Sequence, residues 1–494
     1  MTCGHIGCEL PVSRRNLLQA SAASVGAASI GAGTLQAAVP AAGPAGPQPG
    51  PGLTPGVDFL GMARSAADWI LTTRSQDEFG TFFPADAANP KRFFMAPSAP
   101  ESYYCGIAGM VLMFAELARA TGEPRYREAA TAGADRLLQR WIAVADSEKS
   151  KIIDMRWNMI FGVAGIGMAL YQAGILLDEP RYTGALGAVA DRIVAAADPA
   201  NPKGTWTDYP GYIGDASTTL FLAHAARILQ NKAYLRTASQ AGDRLIALAT
   251  REDDGNLAWR APQNPSMPHL YYPGFEMGTA GVVYTLATLY EVTREPRYLD
   301  AARRGAGHLI GLAVGDANAA LIPYALPDYR DIFYLGFCHG AAGTARAFYK
   351  LHQITGDRRY FDWTNRLAQG ILAAGAPELE SRGMWNTVTQ CCGVASHVTL
   401  FLGLWATFGD ARHLALAERA GRTIASRASN LDGKGDKWFM AWSRVDPAVV
   451  NAEAGYMIGA AGIATSLLHL HLAGIGRYRV SLPFDNPFPT ARLA

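Results

Sequence analysis

The sequence predicts an all-α fold, an (α/α)7 toroid in which seven helical hairpins form an inner and an outer ring. Three observations predict it. A small-Gly-x-Ala-small motif recurs seven times, an aromatic landmark follows it at constant distance, and the segments between carry apolar residues at helical spacing.

The motif opens at Cys105, Phe161, Ile213, Met277, His339, Cys392 and Ile458, each followed by a glycine. The landmark is a turn reading Glu123-Pro124-Arg125-Tyr126, Glu179-Pro180-Arg181-Tyr182, Glu295-Pro296-Arg297-Tyr298 and Asp357-Arg358-Arg359-Tyr360, with weaker copies ending at Tyr234 and His413. From the residue before the motif glycine to the aromatic position every copy counts 21 residues, as from 105 to 126 and from 392 to 413.

That span holds a helix of about four turns and a short turn whose proline opens a second helix. The second helix is amphipathic, as in 126–141, 298–313 and 360–374. The first is more apolar, as in Met110–Leu117 and Thr399–Trp405, which suits an inner ring buried on all sides. A helix at about 57–74 supplies the seventh outer member. Small residues at the inner-helix N-termini allow close backbone approach, and the free N–H groups there make one rim electropositive. A packing role alone is the reading for the copies at Cys105, Phe161, Ile213 and Ile458.

The chain divides into a twin-arginine-type signal (1–41), a Pro/Gly-rich linker (42–56), the toroid (57–480) and a C-terminal tail (481–494). Ser13-Arg14-Arg15-Asn16-Leu17-Leu18-Gln19, followed by a mild Ala/Gly-rich run, resembles a twin-arginine export signal. Its apolar run is too weak for a stable membrane span. The expected location is periplasmic or extracellular. Loss of residues 1–41 removes Glu9, Arg14 and Arg15 and leaves the chain within about one charge of neutral. No nucleic-acid footprint is visible, and a monomer is expected.

Chemistry concentrates in two cysteine clusters, Phe337-Cys338-His339-Gly340 and Gln390-Cys391-Cys392-Gly393. The whole chain has 6 cysteines, and three of the four beyond residue 41 sit here. Thiolates gathered in this way are ligands that zinc prefers. Cys338 and Cys391 hold matching positions in neighbouring repeats, so both reach one rim although 53 residues separate them. Cys338, Cys391 and Cys392 supply three corners of a tetrahedron, and His339 lies within reach as a fourth ligand or proton carrier. The competing readings are a Cys391–Cys392 disulfide, a disulfide from Cys338 to either, and three buried free thiols.

With these motifs the chain resembles the lanthionine synthetase C-like family of zinc-containing cyclases over nearly all of its length beyond the signal. Phe337-Cys338-His339-Gly340 is similar to the family's Trp-Cys-(His/Tyr)-Gly, and Gln390-Cys391-Cys392-Gly393 to its Cys-His-Gly. The resemblance implies zinc on Cys338, Cys391 and Cys392, with Cys392 in place of the usual histidine, an all-cysteine set known in cyclases of this group. It implies addition of a peptide cysteine thiol to dehydroalanine or dehydrobutyrine, giving a thioether. The substrate would be a peptide or a small thiol compound.

The fourth repeat of such cyclases carries a histidine for proton transfer where this chain has Met277. His339, Glu276 and His397 are the available substitutes, His397 reading first as a satisfied core histidine. Asp208, Tyr212, Asp215, Tyr272, Met277 and His397 are the expected substrate-binding residues. Two alternatives stand beside the cyclase reading. One is a glycosidase or lyase using Asp215 and Glu276 as a carboxylate pair, with Trp157, Trp206, Tyr209, Tyr271 and Trp385 as sugar platforms. The other is a zinc-stabilised binding protein without turnover.

Overall fold

The computed structural model describes residues 56–493 apart from 87, 89–98, 149–152, 198–204, 261–268, 380–386 and 442–449. The expected export segment 1–41 and the expected linker up to residue 55 lie outside the described residues, as does Trp385.

The described chain is helical in the expected alternation. An opening helix, α1 (Phe59–Thr72), precedes α2 (Ile107–Thr121) paired with α3 (Pro124–Ala145), and α4 (Val163–Leu177) paired with α5 (Pro180–Thr183) and α6 (Ala185–Ala196). Then come α7 (Ser217–Leu229) with α8 (Lys232–Ala247), α9 (Thr279–Thr293) with α10 (Pro296–Leu312), α11 (Ala341–Thr355) with α12 (Arg358–Ala373), and α13 (Val394–Phe408) with α14 (Ala411–Ser426). The last helix, α15 (Ala460–Gly474), packs on α1, its outer partner, and on α2, which closes the inner ring.

Burial follows the apolar pattern. In α4 Val163 through Leu170 are all buried, whereas α8 buries only a stripe from Tyr234 to Leu245. Six of the seven inner helices start directly after their motif glycine, whose backbone is extended rather than left-handed, while in the third repeat Gly214 lies within the turn Tyr212–Ala216 and the helix starts at Ser217. The glycine is required by space: a Cβ at Gly278 would overlap the carbonyl oxygen of Tyr272, and one at Gly393 that of Thr387.

The aromatic landmark has a structural purpose. Tyr182 Oη donates to Asp135 Oδ1 on the preceding outer helix at 2.8 Å, and Arg181 pairs with the same carboxylate at 2.9 Å. Tyr126 and Arg125 treat Asp68 alike, at 3.3 and 3.0 Å, and Tyr234 reaches Asp191 at 2.6 Å. The constant 21-residue spacing therefore keeps a tyrosine in register with the neighbouring outer helix.

Four two-stranded antiparallel ribbons follow outer helices among the described residues: β1 (Ser75–Asp77) with β2 (Gly80–Phe82), β3 (Thr250–Arg251) with β4 (Leu257–Ala258), β5 (Val314–Gly315) with β6 (Ala320–Leu321), and β7 (Phe439–Ala441) with β8 (Val450–Ala452). Tryptophans in the segments after outer helices cap those helices: Trp206, Trp259 and Trp438 donate Nε1–H to the carbonyls of Ile193, Leu245 and Ile424 at 2.7–2.9 Å.

The segment expected as a tail instead enters the ring. Val480 N–H donates to Thr490 O at 2.8 Å, forming the neck of a loop whose tip, Phe484 and Asp485, is buried among inner helices. Among the described residues no helix is long and apolar enough to cross a membrane.

Candidate metal centre

The rim loops are joined by a belt of hydrogen bonds running through one repeat position, two residues before each motif glycine. Glu276 N–H donates to Cys338 O at 2.8 Å, Cys338 to Cys391 at 3.0 Å, Cys391 to Met457 at 2.7 Å, Met457 to Tyr104 at 2.9 Å and Tyr104 to Ile160 at 3.0 Å. In the third repeat, where Tyr212–Ala216 forms a π-turn, Ile213 takes over and donates to Glu276 O at 2.9 Å. Asn158 closes the circuit, accepting from Ile160 N–H at 2.9 Å and donating to Ile213 O at 2.5 Å. Repeat position thus decides adjacency, and residues 53 apart in sequence become neighbours.

Cys338, Cys391 and Cys392 converge, with their sulfurs all within 4.8 Å of one another and Cys338 Sγ 3.5 Å from Cys392 Sγ. Two metal–sulfur bonds of about 2.3 Å at a tetrahedral angle hold sulfurs about 3.8 Å apart, so the donor set fits a thiophilic ion. All three cysteines are free thiols, which sets aside the disulfide readings. Each is at most 2% exposed, so bulk water does not solvate these sulfurs.

Burial alone would raise the Cys338 thiol, but donation from Cys391 and Cys392 and the His339 N–H outweigh it and bring the group down to about 6. Burial and then the Cys338 sulfur hold Cys391 and Cys392 well above the ordinary thiol range. The metal-free cluster therefore concentrates negative charge on one sulfur, which attracts a cation.

Glu276 and His339 complete the surroundings, each offering a ligand atom within 4.8 Å of the other and of Cys338 Sγ. Glu276 Oε2 lies 3.8 Å from Cys391 Sγ, and Oε1 has no hydrogen-bond partner among the described residues. Burial and then Cys391 keep this carboxyl well above the usual carboxylate range, so it holds its proton. His339 sits among Tyr272, Tyr324 and Tyr334, with ring centroids 5.2, 5.0 and 5.9 Å away. Tyr272 is the one expected substrate-binding residue found against this histidine.

The other expected residues have other partners. Asp215 accepts from Thr207 Oγ1, Thr207 N–H and Asp208 N–H at 2.7–3.0 Å and so fixes its own loop. Asp208 pairs with Arg244 of α8 at 3.2 Å. Tyr212 Oη donates to Asp485 at 2.9 Å, facing the lumen. Met277 and His397 are buried; His397 lies in the core, but neither ring nitrogen has a hydrogen-bond partner among the described residues, so it is not the satisfied core histidine of the alternative reading. The expected sugar platforms are engaged as well: Trp206 caps a helix, Trp157 lies under Arg156 and Arg192, and Tyr271 under Arg260.

Sequence reasoning missed Tyr104. It occupies the same repeat position as Cys338 and Cys391, which was the available signal, and its Oη donates to Cys391 Sγ at 3.3 Å.

Comparison with solved structures finds a similar fold in nisin cyclase, with a TM-score of 0.56 at 12% identity over 76% of this chain and 90% of that one. A D-mannose isomerase matches at a TM-score of 0.41, with 16% identity over 65% of this chain and 88% of that one. The α-1,6-mannanase of Salegentibacter sp. matches at 0.43, with 13% identity over 83% and 98%. These two scores fall too low to bear on the site. The family model described as lanthionine synthetase C-like protein matches residues 97–475, a span that holds every inner helix and all three converging cysteines. The chain belongs to the lanthionine synthetase C-like family.

Proposed function

We propose that this protein is a zinc-dependent thiol-activating enzyme that adds a peptide cysteine thiol to dehydroalanine or dehydrobutyrine, forming a thioether. The convergence of Cys338, Cys391 and Cys392 at one rim carries the reading. These three would hold the ion, which when bound lowers the pKa of a substrate thiol into the neutral range.

The rest falls to the chain's own groups. As the C–S bond forms and the alkene π bond breaks, a proton must reach the α-carbon. Glu276, held protonated by burial, supplies it. The proton released by the thiol passes to His339, which lies within 4.8 Å of Glu276 and restores it. Addition thus moves one proton from sulfur to carbon with no net change. Met277 has no ionisable group, and the carboxyl beside it takes its place. Residues 1–41 would direct export of the folded protein through the twin-arginine pathway.

One observation favours a zinc-stabilised binding protein instead: the cysteines are at most 2% exposed and the lumen is filled by the chain itself. Elemental analysis and thioether formation on a dehydroalanine peptide, for wild type and Cys391→Ala, separate the two. Loss of zinc and of addition with the fold retained supports the enzyme. Loss of folding supports a structural ion, and absence of zinc from the wild type sinks both.

A further inference from the structure

The C-terminal loop is held in the ring the way a receptor holds a peptide turn: Asn486 N–H donates to Pro483 O at 2.9 Å, which puts Phe484 and Asp485 at the tip. Its main chain is gripped by side chains of four inner helices, three of them at carbonyls. Gln172 Nε2 donates to Leu482 O at 2.6 Å, Tyr284 Oη to Phe484 O at 3.2 Å and Gln353 Nε2 to Pro487 O at 2.9 Å. Ser481 N–H donates to Glu116, whose other oxygen is 2.6 Å from His469 Nε2. Such contacts read a backbone rather than a particular sequence.

Its side chains occupy separate seats. The Phe484 ring stacks on His224 at 4.5 Å, and Phe488 packs on Tyr349 at 4.5 Å. The Asp485 carboxylate meets Arg346 Nη1 at 2.8 Å and Tyr212 Oη at 2.9 Å, all three residues being buried. Arg346 also lies over the Phe337 ring at 4.5 Å, one residue from Cys338. A cavity of about 20 Å³, room for one water, remains beside Asp485, bounded by Tyr103, Gln390 and Tyr456.

A buried arginine without its carboxylate carries a large desolvation cost, so this seat demands an anion. The main-chain grips, the two aromatic seats and the carboxylate seat follow one another along the lumen. We propose that the lumen is a binding site for a peptide turn with an acidic residue directly after an aromatic one at its tip, and that residues 482–488 are its resident intramolecular ligand. Another peptide of that pattern takes the site when the loop withdraws. The site does not depend on a metal at the thiol cluster.

The test starts from the folded full chain carrying a protease site inserted at Gly476, an exposed position. After cleavage, a fluorescent synthetic peptide matching residues 477–494 is added in excess and its anisotropy followed. Saturable exchange is expected, with at least ten-fold weaker binding for the peptide carrying Asp485→Asn. Unfolding upon cleavage, failure of the peptide to exchange, or equal binding of both peptides would each overturn the proposal and leave the loop a structural plug. No thiol chemistry enters the readout, so its failure is distinguishable from failure of the cyclase reading.

Discussion

The hydroxyl of Tyr104 donates to the sulfur of Cys391 at 3.3 Å, although the two residues lie 287 positions apart. The rim belt places them together: Cys391 donates to Met457, and Met457 to Tyr104. A phenol proton directed at a thiolate draws charge from the sulfur. Because three thiolates would give a divalent ion a net negative centre, that withdrawal stabilises the loaded site.

Tyr104→Phe is therefore expected to weaken metal binding by about ten-fold without unfolding the protein. Competition against a chromogenic chelator measures the affinity. In the cobalt-substituted protein the sulfur-to-metal charge-transfer band should shift as well. An unchanged affinity together with an unchanged band would remove Tyr104 from the centre.

Glu276→Gln keeps the shape of the side chain and removes its acid. Thioether formation should fall by about a hundred-fold or more, while metal per chain stays at the wild-type level. Following deuterium uptake at the α-carbon of the product shows whether protonation has become slow. Wild-type turnover in this variant would assign the proton to another group.

His397 gives a pH signature of stability. Burial lowers its imidazole to about 4, below the ordinary 6.5, so the unfolded chain binds a proton between those values and the folded chain does not. Stability from this group is fully present above about 6.5 and is lost as pH falls towards 4, a difference on the order of 3 kcal/mol. His397→Phe should flatten that acid limb in urea unfolding at pH 7 and pH 4.5. Parallel pH dependence in both proteins would place the titration elsewhere.

Two glycines should respond in opposite directions. Gly393→Ala drives a methyl into Thr387 O and is expected to cost about 3 kcal/mol or more. Gly311, helical in α10 with nothing within 4 Å of a Cβ, should gain about 0.5–1 kcal/mol on becoming alanine. Equilibrium unfolding midpoints for the pair test whether close packing, rather than glycine content as such, sets the motif.

The helical hairpins were legible because each repeat states its period twice, in the motif glycine and in the landmark tyrosine that bonds the preceding outer helix. The ribbons were not, since strands of two or three residues cannot display an alternating pattern. The last segment, 481–494, was expected only as a tail; its order comes from partners such as Gln172 and Arg346, far away in sequence. Within the site the cysteines were legible through repeat position. For Asp215 the sequence offered a rim acid, and its bonds to Thr207 and Asp208 become visible only once the loop is folded.

The pairing of α1 with α15 sets an order on biosynthesis. Helix α1 waits for α15, so ring closure joins residues 59–72 to residues 460–474 and cannot begin until α15 has left the ribosome. Until then the earlier hairpins stand as an open arc with their apolar flanks uncovered. A cell making this protein must shield that arc throughout synthesis, and a truncated transcript yields a chain with no means of completing the circle.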